Sequence, residues 1–216
     1  MLRTVSACIL LLVVLPASAS AEWHFTPMIG WTFKGGTNIQ DTELAADKTH
    51  KQLGGAVSVF GEGVLGAEAI VIWTPSLFQG EENLDVGPGS PPRCVNCVDP
   101  GRSISLMGNV VVTVPRRWTE YFLRPYFSGG IGLIHARVQQ VDVSGGPVLD
   151  PVNLDTLGYN LGGGAIGFFT DRTGVRVDFR YHSTFRRSDD IPPVVDADVA
   201  HLRYMTFAVG VVIRRR

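Results

Sequence analysis

The chain has 216 residues, a formal net charge of -1 and only 18% charged residues. That balance excludes the basic surface of a nucleic-acid binder and the dense acidity of a solvating tail. With 25 glycines and 13 prolines, the composition suits one β domain rich in turns.

Residues 1–21 read as a signal peptide. Arg3 supplies the positive start, residues 9–15 a short apolar run, and "ASASA" small residues for cleavage after Ala21, with Ala19 as the alternative. The run is too short to span a bilayer as a helix, and Cys8 precedes it, so a lipid anchor is not expected. The mature domain is then 22–216, an exported chain.

Eight strand-like stretches follow, each alternating between two faces and bounded by Gly, Pro, Asn and Asp. Residues 24–33 align Phe25, Ile29, Trp31 and Phe33; 53–62 and 64–73 come next. Residues 104–114 set Ile104, Leu106, Val110, Val112 and Val114 against Ser105, Asn109 and Thr113. After 124–137 and 157–169, residues 174–185 set Val175, Val177, Phe179 and Tyr181 against Arg176, Asp178, Arg180 and His182. The last, 203–213, sets Met205, Phe207, Val209, Val211 and Ile213 against Thr206, Ala208 and Gly210.

Several of these stretches reach about ten residues, near the nine to eleven that cross a bilayer at a tilt. Their connections alternate in length: long at 34–52, 75–103, 138–156 and 186–202, short at 62–63, 115–123 and 170–174. Sorting by parity is the rhythm of an even-stranded membrane barrel with both termini at the short-turn end. The expected fold is therefore all-β, an eight-stranded antiparallel up-and-down transmembrane β-barrel with four long extracellular loops.

In such a barrel the charges point inward. Gly130, Gly132, Gly162 and Gly164 leave room in a polar, side-chain-filled lumen, into which Glu62, Glu68, Arg176, Asp178, Arg180 and His182 project and pair. Trp23, Trp31, Trp73, Trp118 and Tyr121 fall near strand ends, where amphipathic rings favour the membrane interface.

"LRPYFSGGIGLIHA" and "GYNLGGGAIGFFTDRTGVRVDFRY" resemble the small outer-membrane β-barrel domains of the OmpA-like and porin-like superfamily. The motifs cover about 123–182; the organisation extends over the whole mature chain. The resemblance implies a Gram-negative outer-membrane location and insertion by the barrel assembly machinery. It also implies contact with outer-membrane lipid and lipopolysaccharide, and a structural or surface role whose partner the sequence does not name. Family members commonly end on an aromatic residue, whereas this chain ends "VVIRRR", with Phe207 well inside the last strand. No peptidoglycan-binding domain is expected after the barrel.

The remaining chemistry is sparse. Cys94 and Cys97 in "PPRCVNCVDPG" sit between prolines and glycine, favouring a loop disulfide over a redox centre or half of a metal site. His182 and Thr184 share a face, with Asp178, Asp189 or Asp190 as possible acids, which admits a lipid A-modifying barrel enzyme. Against that, Thr stands for the Ser and Phe185 for the Asn of the lipid A deacylase pattern, and the parity puts His182 in the lumen. The five histidines lack metal-ligand spacing, although His50 or His201 could approach the cysteine pair. The glycine runs lie within strands, where they do not form a phosphate loop. "DDIPPVVDAD" and "TELAAD" read as solvated acidic loops. Arg116, Arg117, Arg124 and the Arg214–Arg216 tail read as a solvated basic rim or a contact with inner-leaflet phospholipid. The expectation is a protein with no catalytic residue, cofactor, metal or nucleic-acid partner. A narrow pore, the lipid-modifying enzyme and a soluble periplasmic lipocalin-like carrier stand as alternatives.

Overall fold

A computed structural model describes residues 21–37, 47–61, 63–77, 83–84, 93–94, 97–98, 101–115, 123–138, 141–142, 152–185 and 201–215. The signal segment, Glu62, Trp118, Tyr121 and the side chains of Cys94 and Cys97 lie outside what it describes. Eight long strands carry the fold: β1 (Glu22–Thr37), β2 (His50–Phe60), β3 (Leu65–Thr74), β4 (Arg102–Thr113), β5 (Leu123–Val138), β6 (Val152–Phe168), β7 (Thr173–Thr184) and β8 (Leu202–Arg215). Each pairs antiparallel with its neighbours in sequence, and β8 returns to β1, so the sheet closes into an up-and-down barrel. Closure removes the unpaired edges that hydrocarbon would not tolerate.

Several strands outrun the apolar alternation that announces them. Strand β6 has 17 residues and β5 has 16, and they pair continuously from Gly167↔Leu123 to Val152↔Val138. Ladder hydrogen bonds need backbone, not an apolar face, so this hairpin continues beyond the point where lipid contact ceases. Strand β1 likewise extends past Phe33 through a register shift that ends at Gly36, with Lys34 at a left-handed φ of 51° inside it. Beyond the barrel, Asn83–Leu84 pairs with Arg93–Cys94 and Cys97–Val98 with Val141–Asp142, so two long connections meet in a short ladder.

The outer wall is apolar: Ile29, Leu65, Val110, Phe127, Ile131 and Leu133 are each about three-fifths exposed. Trp31 and Trp73 mark its edge on the long-loop side and Trp23 the other edge, as two aromatic belts would.

Inside, the structure corrects the expectation of a polar lumen. The filling is layered. Phe60, Val111, Ile166, Phe168 and Val212 form an apolar cluster toward the short turns, with the Tyr126 ring among them. Met28, Ile70, Ile72, Met107, Ile134 and Tyr204 anchor a second cluster toward the long loops. Glu68, Arg176, Asp178 and Arg180 lie between the two. Above the upper cluster come hydroxyls and amides, such as Thr32 bonding Gln52 at 2.9 Å and Thr74 at 3.1 Å. Stretches such as "EAIVIW" are apolar on both faces, so alternation alone could not show that Ile70 and Ile72 point in.

Inward glycines let the wall close around this filling. A Cβ at Gly132 would run into the Leu106 carbonyl and sit 2.7 Å from the Met107 Cα, backbone that cannot yield. At Gly63, in a short turn, an added Cβ would meet nothing within 4 Å. We therefore expect Gly132→Ala to destabilise the barrel by about 1–3 kcal/mol and Gly63→Ala to leave it unchanged. Urea titration of the compact band on unboiled gels measures both; equal midpoints would refute the packing argument.

Candidate functional site

The middle layer is built on β7, whose inward residues Arg176, Asp178 and Arg180 stand in a row because strand side chains alternate faces. Glu68 faces them from β3. Opposite Arg180 and Asp178 on β6 are Gly162 and Gly164, and a Cβ at Gly162 would lie 2.9 Å from the Arg180 Cγ. The missing side chains make the space the guanidiniums occupy.

Every guanidinium nitrogen is used. Arg176 donates through Nη1 to Glu68, through Nη2 to Asp178 at 2.7 Å and through Nε to the Tyr126 hydroxyl at 2.7 Å. Its guanidinium also lies 4.6 Å from the Tyr126 ring centre, and the Tyr126 hydroxyl donates to Asp178. Arg180 donates through Nε to Asp178 at 3.1 Å, and through Nη2 to Asp178 and Glu68 at 3.0 Å each. Its Nη1 reaches Asn160 at 2.8 Å; Asn160 donates to Asn109 at 2.7 Å, and Asn109 to Glu68 at 3.2 Å. Ser58 supplies Glu68 with a further bond at 3.0 Å. The network thus draws on β2 through β7, with two cations balancing two carboxylates.

Of the residues the sequence singled out for the lumen, the structure brings together Glu68, Arg176, Asp178 and Arg180. It does not bring in His182. That ring is fully buried and stacks on Tyr204, centroids 4.8 Å apart and 12° from parallel, with neither nitrogen hydrogen-bonded. The Arg180 donors are taken by Asp178, Glu68 and Asn160, which leaves His182 in the upper apolar layer. Thr184, its suggested partner, accepts instead from the Leu202 amide at 3.2 Å. Sequence reasoning missed Ser58, Asn109, Tyr126 and Asn160, all inward-facing; the inward parity of Asn109 was legible, its role was not.

The basic rim also needs correcting. Arg124 and Arg214 are buried at the short-turn end, with guanidiniums 4.9 Å from the Phe60 ring and 4.4 Å from the Phe168 ring. Arg124 donates to the Val114 carbonyl and Arg214 to that of Asp171, while Glu22 stands 3.9 and 3.8 Å from the two. Their even parity turns them inward, so they cap the lumen rather than face water or lipid. Arg215 is exposed, and Arg116, Arg117 and Arg216 lie outside the described residues.

A family model, the outer membrane protein beta-barrel domain, matches residues 7–214. The chain belongs to that family. Its place is accordingly the outer membrane, and its strands are the membrane-crossing elements. No curated protein shows a significant match. Among solved barrels, Neisserial surface protein A aligns over 90% of this chain and 98% of its own, at 12% identity and a TM-score of 0.51. The attachment invasion locus protein of Yersinia pestis aligns over 91% and 99%, at 13% identity and a TM-score of 0.52. A major outer membrane protein from Thermus thermophilus aligns over 91% and 100%, at 14% identity and a TM-score of 0.53. At these identities the likeness is one of fold.

In this family member the buried ions form one coupled unit. Removing one partner strands the rest, at about 3–5 kcal/mol, whereas replacing a whole pair by apolar groups can be close to neutral. Arg176→Met should therefore lower unfolding stability by about 3–5 kcal/mol, and adding Glu68→Met should recover much of the loss. A double-mutant cycle in urea with barrels refolded into vesicles reads this directly; strictly additive losses would show that the pair is not coupled.

Proposed function

We propose that the barrel is a sealed, non-enzymatic protein of the outer membrane with a structural or surface-interaction role, its long connections facing outward. The observation that carries this reading is the layering of the lumen. An ion cluster in which every guanidinium nitrogen donates has an apolar cluster on each side of it, which among the described residues interrupts any continuous polar path. A narrow pore would need a continuous polar lining instead. The lipid-modifying alternative is weakened because the Thr184 hydroxyl is engaged by backbone and His182 faces the interior. An outer-membrane location also leaves no place for a soluble carrier. Insertion by the barrel assembly machinery is part of the proposal, as is a partner for the surface loops.

Purified barrel in planar bilayers should give no unitary conductance. Reproducible single-channel steps from the wild type would sink the sealed reading and favour the pore. For the enzymatic alternative, lipid A mass spectra from cells carrying wild type or His182→Ala should be identical. A modified species that disappears with the variant would establish a lipid-modifying activity.

A further inference from the structure

The four charges of the middle layer cancel, whereas on the outer wall the described cations are concentrated toward the long-connection end. Lys34, Lys51, Arg102, Arg137 and Arg203 all belong to the strand segments nearest the long connections; four are exposed and Arg137 is half-buried. None of the five forms an ion pair among the described residues. Among the described strand residues at that end, the exposed carboxylate of Asp155 is held by His135 at 2.6 Å. At the other end the outer wall is Leu65, Val112, Leu123, Phe169, Val175 and Ile213, with Arg215, Arg172 and Asp171 at its margin.

Register places these cations at the membrane edge. Lys51 is directly opposite Trp31, a residue of the loop-side aromatic belt. Ile104, opposite Trp73, is the last lipid-facing residue of β4, and Arg102 is the next position outward on the same face. Arg102 also stands directly across from Arg137 on β5. Like charges facing each other across strands are destabilising unless something anionic lies between them. The Arg137 Nε is sealed from solvent and has no acceptor in the barrel. Two planar forks from directly opposed strand positions suit phosphate oxygens, which accept two parallel N–H bonds from a guanidinium.

We infer that Arg102 and Arg137 form a binding site for the phosphate of an outer-leaflet lipid headgroup, that of the phosphorylated glycolipid of the outer membrane. Lys34, Lys51 and Arg203 extend the same cationic edge around the opposite wall. The apolar surface below the pair, Leu106, Ile131 and Leu133, receives the acyl chains. This rests on the reading that the long connections face outward.

The test uses folded full-length barrel in detergent micelles, with folding checked by unboiled gel mobility and binding read by native mass spectrometry. The probes are diphosphoryl lipid A, its dephosphorylated form, and phosphatidylglycerol. Wild type should retain diphosphoryl lipid A at least tenfold better than either other lipid. The Arg102→Gln/Arg137→Gln variant should lose that preference, while Arg215→Gln at the opposite end should keep it. Retention indifferent to the phosphates or to the arginine pair would overturn the site, and equal retention of phosphatidylglycerol would overturn the outer-leaflet source. Micelle binding does not depend on orientation, so the underlying reading is checked separately by protease cleavage of the long connections on intact cells. Selective binding combined with connections reached only after the outer membrane is opened would also overturn the outer-leaflet assignment.

Discussion

Two guanidiniums and two carboxylates share the middle of a barrel too narrow to hold bulk water, and much of the surrounding architecture follows from that. Arg176 and Arg180 are fully shielded, so each guanidinium nitrogen must find an acceptor within the protein. Glu68 and Asp178 supply most of them; the Tyr126 hydroxyl and the Asn160 amide oxygen supply the rest. Those acceptors can reach the centre only because Gly162 and Gly164 give up their side chains opposite Arg180 and Asp178. Glycine position, network membership and wall curvature are therefore one problem with one solution. The cluster also guards register. A slip of one residue in β7 would send Arg176, Asp178 and Arg180 to the lipid face, at about 2–4 kcal/mol for each arginine at the bilayer midplane.

The apolar clusters on either side of this layer explain how a charged centre can be permanent. Water reaching Arg180 would have to pass Tyr204, Ile134 and Met107 from the loop end, or Phe60 and Phe168 from the other, where Arg124 and Arg214 lie against the same two rings. Desolvation strengthens the ionic contacts, and the ionic contacts hold the strands that keep the clusters packed. Each layer depends on the other.

Much of this was legible in the sequence. Alternation in 174–185 put Arg176, Asp178 and Arg180 on one face, and the parity of the connections pointed inward for that face. What alternation could not separate were segments apolar on both sides: Ile70 and Ile72 look no different from Val71 and Trp73 until the barrel closes. Nor could it place the partners, since Tyr126 meets Arg176 across 50 residues of sequence and Asn160 meets Arg180 across 20. The misplacement of Arg124 and Arg214 has a simpler origin. Both are even-numbered inward positions at strand ends, but Arg124 clusters in sequence with Arg116 and Arg117 and Arg214 opens the basic tail, which suggested a solvated rim. Parity governed, not local composition.

That parity makes the outer-wall cations informative. Two acids, a phenol and the Asn160 amide satisfy the central arginines, whereas Arg102 and Arg137 stand face to face with no acid between them among the described residues. Strand ends are permissive positions, where a glutamate or a serine would serve the fold equally well. Nothing in the backbone register demands arginine at both. An interior charge is constrained by the protein that encloses it, whereas a charge at the membrane edge answers to the leaflet it meets. A pair there with no counter-ion among the described residues reads as half of a contact whose other half belongs to the lipid.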